Sequence, residues 1–152
     1  MTRPAGQTFA APPPFVSRER ELLMAYTPDM TAAARRLAKA AVKLAQPDNR
    51  AVAAYLFGLA AECALKAVAA RLPGGMAEAI QYAHFPPLRT ALRQMATGRH
   101  AVGLRRLVES DAFMNEWAID IRYARATDIH AKPIDKWQEH ATAAVNLMEG
   151  WS

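Results

Sequence analysis

The densest group of chemically capable side chains in the sequence lies between positions 122 and 130: Arg122, Tyr123, Arg125, Asp128 and His130. A guanidinium grips a phosphate through two parallel N–H bonds and stabilises charge that builds up on phosphoryl oxygens during a displacement. An imidazole titrates near neutrality and can take a proton from a ribose 2′-hydroxyl or return one to a leaving oxygen. Arginine and histidine together are enough in principle for RNA cleavage without a metal. The same residues also have a plainer use, in which Arg122 and Arg125 finish a helix by bonding its last carbonyls and His130 sits in the loop beyond. Residue types alone favour that plainer use. If one helix ran through both arginines, their spacing of three would set them on one face, about 5–6 Å apart between Cβ atoms.

A second charged feature is Glu62 with Lys66, acid first, at the i,i+4 spacing that suits an ion pair on a helix. Both interrupt the longest apolar stretch, Ala51 to Leu72, where they are expected to be buried and paired, since an unpaired charge there is costly. They either line an internal cleft or tie this helix to its neighbours. The other familiar signatures are missing. Pro73-Gly74-Gly75 lacks the lysine and spacing of a phosphate loop, and there is no Gly-x-Ser-x-Gly elbow. The histidines 84, 100, 130 and 140 are too scattered to suggest zinc, so no metal and no cofactor is expected.

The elements that must carry these residues are helical. Of 152 residues 52% are hydrophobic but only 8% aromatic, and 34 are alanine, a composition that favours close-packed helices over a β-sandwich. The length suits one domain. Residues 1–30 form a Pro-rich arm, with Pro4, Pro12, Pro13, Pro14 and Pro28 limiting it to at most a short helix over 18–26. Residues 31–152 form the body. A first helix runs from Thr31 to about Gln46, a second from Arg50 to Leu72, a third from Pro87 to Thr97 and a shorter one over Ala101–Glu109. Ser110-Asp111 then caps a helix with Phe113, Trp117, Ile121 and Ala124 at helical spacing, and Pro133 opens a last helix carrying Trp137, Ala141, Ala144 and Met148. The expected fold is all-α, an up-and-down bundle of four main helices with short extras. The second helix is apolar nearly all round, which suggests the centre of a bundle or a face shared with a second copy; a homodimer through it, or through the Phe113–Ile121 face, is expected.

Charge is unevenly spread. Residues 84–108 carry five arginines and no acid, while residues 109–152 carry a net charge of −4. The arginine segment is a candidate phosphate-binding surface or, equally, a solvated face balanced by the acidic C-terminal part. The lone Cys63 sits in the apolar helix and reads as a buried structural thiol, which makes a reducing cytoplasm the default location. The N-terminus lacks the continuous apolar run of a secretory signal, and Glu62 and Lys66 argue against a membrane span.

Three short stretches resemble the HEPN (higher eukaryotes and prokaryotes nucleotide-binding) domains. Ala61-Glu62 followed by Leu65-Lys66-Ala67 is similar to the family's second-helix pattern. His84 and Leu88 match its His-x-x-x-Leu approach to the third helix, and Arg122-Tyr123 its Arg-Tyr at the end of a helix. The likeness spans roughly residues 31–148 and implies a helical bundle that commonly dimerises. Ribonuclease members carry an arginine and a histidine four to six residues apart in a site shared by two protomers; Arg125 and His130 have four residues between them. The next residue is Ala126, where those members commonly have Asn or Asp, and the Arg122-Tyr123 pair is closer to members that bind nucleotides without cutting RNA. The resemblance therefore implies a dimer that binds nucleotide or RNA phosphate through Arg122, Tyr123 and Arg125, with Glu62 and Lys66 near. Its alternatives are a toxin-like, metal-independent endoribonuclease using Arg125 and His130, and a non-catalytic subunit for a nucleotidyltransferase or antitoxin partner.

Overall fold

The computed structural model describes residues 26–75 and 77–151. Most of the expected Pro-rich arm, positions 1–25, lies outside the described residues. Helix α1 (Met30–Leu44) starts where Asp29, rather than Thr31, accepts the Ala32 N–H at 2.9 Å. Its alanines Ala34 and Ala41 are fully buried, while Arg36, Lys39 and Lys43 stay exposed. A 3-10 turn at Pro47–Asn49 reverses the chain into α2 (Arg50–Arg71), close to the expected bounds.

Helix α2 is the axis of the fold. It packs chiefly on α1 and on the last helix, α7 (Ile134–Glu149), and its Ala53, Ala54, Ala60, Ala61, Ala64 and Ala69 have no exposed surface. Small side chains let three helices approach closely. Gly58 takes this furthest: a Cβ there would lie 1.7 Å from Trp117 Cε2. The stretch Pro47–Arg71 is long and apolar enough to cross a membrane, yet 67% of its 18-residue apolar segment is buried inside the protein. One chain thus covers much of the apolar surface of α2, although Val52 is exposed and Leu56, Leu59 and Cys63 are only half-buried, and Phe113, Trp117 and Ile121 are buried too. The Phe113–Ile121 face is core, whereas α2 keeps a partly exposed stripe through Val52, Leu56, Leu59 and Cys63.

After α2 a four-residue helix, α3 (Glu78–Gln81), forms within the segment expected to be loop. Helices α4 (Pro87–Met95) and α5 (Val102–Glu109) pack on each other, separated by Gly98 at φ +80° and a 3-10 turn at Arg99–Ala101. No helix spans residues 111–124. Successive turns occupy positions 111–116, with Met114 (φ 50°) and Glu116 (φ 65°) in the left-handed region, and a 3-10 turn follows at Ile119–Tyr123. Phe113, Trp117 and Ile121 are buried as expected and Ala124 is exposed, but side chains from elsewhere hold the backbone. Met114 N–H donates to His140 Nδ1 at 3.0 Å, Trp137 Nε1 to Asn115 O at 2.9 Å, and Arg89 to Phe113 O at 2.7 Å. Trp117 Nε1 donates to Ala54 O at 3.0 Å. These contacts replace the helical ladder and offset left-handed strain of about 1–2 kcal/mol per residue. The chain then forms α6 (Ala126–His130) and α7, which Pro133 immediately precedes. The described residues make an all-α bundle without a strand.

Candidate functional site

Ile121, only 9% exposed, anchors the 3-10 turn against the bundle and turns its neighbours outward. Arg122 and Tyr123 are exposed, and the Arg122 Cζ lies 4.7 Å from the centre of the Tyr123 ring, a cation–π contact. The Tyr55 hydroxyl, reached from α2, interacts with the guanidinium and, with Tyr123, raises its pKa further above an already high value. Tyr55 itself stacks on Trp117 at 6.3 Å. Arg122 therefore lies against the Tyr123 ring, with the Tyr55 hydroxyl near, rather than at an α-helix end.

The expected continuous helix through both arginines does not form. The turn stops at Tyr123, Ala124 and Arg125 are extended, and α6 starts afresh at Ala126. Arg125 is exposed and pairs with Asp128 at 3.2 Å, so part of its charge is spent locally. His130 ends α6 and is also exposed. No contact between Arg125 and His130 is among those of the described residues, and the Arg125 guanidinium turns to Asp128 instead. Beside them a cavity of about 170 Å³, floored by Ile121 and Ile129, is rimmed by Glu116, Asp120, Asp128 and Lys132. Its rim carries three carboxylates and one ammonium.

Glu62 and Lys66 lie inside the bundle, 2% and 5% exposed, rather than on the surface with the arginines. They are buried as expected, but the ion pair between them is not among the contacts of the described residues. Glu62 instead accepts the Phe85 N–H on Oε1 at 2.8 Å and meets His84 Nδ1 through Oε2 at 2.8 Å. Burial lowers the Lys66 pKa, with the Glu62 charge opposing that shift more weakly. Cys63 is half-buried rather than buried as expected, and the desolvation it has raises its thiol pKa. Sequence reasoning missed Tyr55 and His84 as members of these clusters. Their signal was faint: Tyr55 shares the Glu62 stripe of α2, and His84 falls within the His-x-x-x-Leu likeness.

Three of the five arginines in residues 84–108 bind backbone oxygens. Arg93 donates to Val108 O, to Glu109 O at 3.1 Å and to Asp111 at 2.7 Å, closing the C-terminus of α5 and lowering the Asp111 pKa. Arg89 holds Phe113 O, and Arg105 donates to Gly98 O at 2.9 Å. Arg99 and Arg106 remain exposed. Most of this segment's charge is thus a device for tying chain turns together. Among the described residues no group of His, Cys, Asp or Glu is arranged to hold a metal ion. No family model matches the chain, and no curated protein or solved structure was found to match it.

Proposed function

We propose that the protein binds nucleotide or RNA phosphate, with Arg122 and Tyr123 at the centre of the site and Arg125 at its edge, in a HEPN-like bundle that pairs with a second copy. The observation that carries this reading is the exposed Arg122 guanidinium lying over an exposed Tyr123 ring, with the Tyr55 hydroxyl near. A fixed cation beside an aromatic face suits a phosphate and its base, and base–aromatic stacking is worth about 1–3 kcal/mol per base. Pre-positioning also lowers the ordering cost of binding.

Fluorescence anisotropy with a labelled oligouridylate, and calorimetry with AMP, test the proposal. Arg122→Ala is expected to weaken binding and to flatten its salt dependence by about one phosphate contact, and Tyr123→Ala to weaken binding with the salt slope unchanged. If neither probe binds the wild-type chain at low salt, the reading is wrong.

A further inference from the structure

Helix α2 leaves one side of itself partly uncovered. Val52, Leu56, Leu59 and Cys63 recur at the four-three-four spacing of a coiled-coil seam. Val52 is 50% exposed and the other three are half-buried, while Ala53, Phe57, Ala60 and Glu62 between them are buried. On α1, which packs along α2, Leu37 and Leu44 are also half-buried, and seven residues set them on one side of that helix. Single exposed apolar side chains need no explanation, but a run of them at helix-packing spacing marks a surface for a further helix.

The charges beside the seam give the kind of partner. Helix α1 has four basic residues and no acid. Arg35 is answered by Glu149, whereas Arg36, Lys39 and Lys43 are exposed and enter no ion pair among the described residues. Those three fall within about 60° of one face of the helix. Burial raises the Cys63 thiol pKa, and the Lys66 and Arg36 charges oppose it, so the basic face of α1 borders the seam. The single acid of α2, Glu62, is buried and bonded to His84 and Phe85. Cations thus line one edge of the seam with no carboxylate from α1 or α2 to answer them.

We infer that this face holds an acidic amphipathic helix of another protein, about three turns long, with its apolar side on Val52–Cys63 and its carboxylates against Arg36, Lys39 and Lys43. A second copy seated here would bring the same cations and no exposed acid from α1 or α2, so the pairing proposed above uses another face. Residues 1–25 carry three arginines against two glutamates and do not supply the charge either. Nucleic acid would meet aliphatic side chains where it needs aromatic faces. Half-buried leucines beside a second helix suit the ridge of a helix better than a flat bilayer surface. The seam and its bases include no residue of the Arg122 site, so the two readings stand or fall separately.

The test titrates the full chain into a fluorescent peptide of about 18 residues, with leucines at the heptad seam, glutamates beside them and a hydrocarbon staple to hold the helix. Anisotropy is expected to show binding that weakens as salt rises. Arg36→Gln and Lys43→Gln should each weaken it about 1.5- to fivefold, the range of an exposed ion pair, and Arg106→Gln should leave it unchanged. Val52→Glu sets a like charge at an exposed seam position; it should weaken binding about tenfold or more while circular dichroism and the unfolding midpoint stay as in the wild type. Bound peptide should also slow alkylation of Cys63, the chain's one thiol. Absence of binding at low salt overturns the inference, as does equal binding of a peptide with lysines in place of the glutamates, or binding that Val52→Glu leaves intact. A dimer that Val52→Glu dissociates in sedimentation gives the face to a second copy and overturns it. Binding to phosphatidylserine vesicles that Val52→Glu abolishes gives the face to a membrane, with the same result.

Discussion

Lys66 shows how a single buried group sets a local energy. Its amine is desolvated on α2 while the nearest carboxylate, Glu62, is occupied by His84 and Phe85. Burying an ammonium without a hydrogen-bonded partner costs more than packing an apolar chain of similar volume. Lys66→Met is therefore expected to raise stability in urea unfolding at pH 7. The folded-state pKa lies below 10.5, so the wild type gains stability as the pH rises toward that value, and Lys66→Met does not. A Met variant less stable than the wild type at pH 7 contradicts this account. His140 gives the complementary case. Its Nδ1 accepts the Met114 N–H, and burial lowers its pKa below 6.5. Neutral His140 thus contributes stability that is present above pH 6.5 and is lost as the pH falls through the lower folded-state value. Between pH 7 and 5 the wild type should lose more stability than His140→Gln, whose amide oxygen can accept the same N–H without titrating.

At the scale of elements, α2 and the 111–118 segment specify each other. Trp117 lies directly over Gly58, and its indole N–H bonds Ala54 O one turn earlier on the same helix. Gly58→Ala forces the indole out of a site where it is 1% exposed, against a rigid ring rather than a flexible chain end. Overpacking costs about 1–3 kcal/mol and occasionally more; the expected loss is at or above the top of that range, read from the denaturation midpoint. The alanine gain in helix propensity, about 1 kcal/mol, is too small to offset it. If Gly58→Ala is neutral, Trp117 does not sit where the structure places it. The exposed pairs Arg35–Glu149 and Arg50–Asp135 join α1 and α2 to α7, where solvent screening leaves them little net effect on stability.

For the whole molecule, one helix serves as the core of everything around it, so partial unfolding leaves α2 bare. Loss of the fluorescence of buried Trp117 and Trp137 and loss of helical circular dichroism are expected to coincide in one transition. Separate midpoints would mean that α4 and α5 unfold as an independent unit. The sequence by itself determined the helical class, the bounds of α2 to within a residue, the Gly98 break and the burial of Glu62, Lys66, Phe113, Trp117 and Trp137. Those follow from local periodicity, capping and the cost of exposing apolar surface. Tertiary structure alone decided which backbone the Phe113–Ile121 stretch adopts, because its helical spacing of apolar residues also fits a chain of turns once His140, Trp137 and Arg89 satisfy its peptide groups. It alone turned Glu62 from Lys66 to His84, 22 residues away in sequence. It also split Arg122 from Arg125 and laid Arg122 against the Tyr123 ring. A pattern along one chain records which side chains avoid water; the partner of each polar atom is fixed only when distant segments meet.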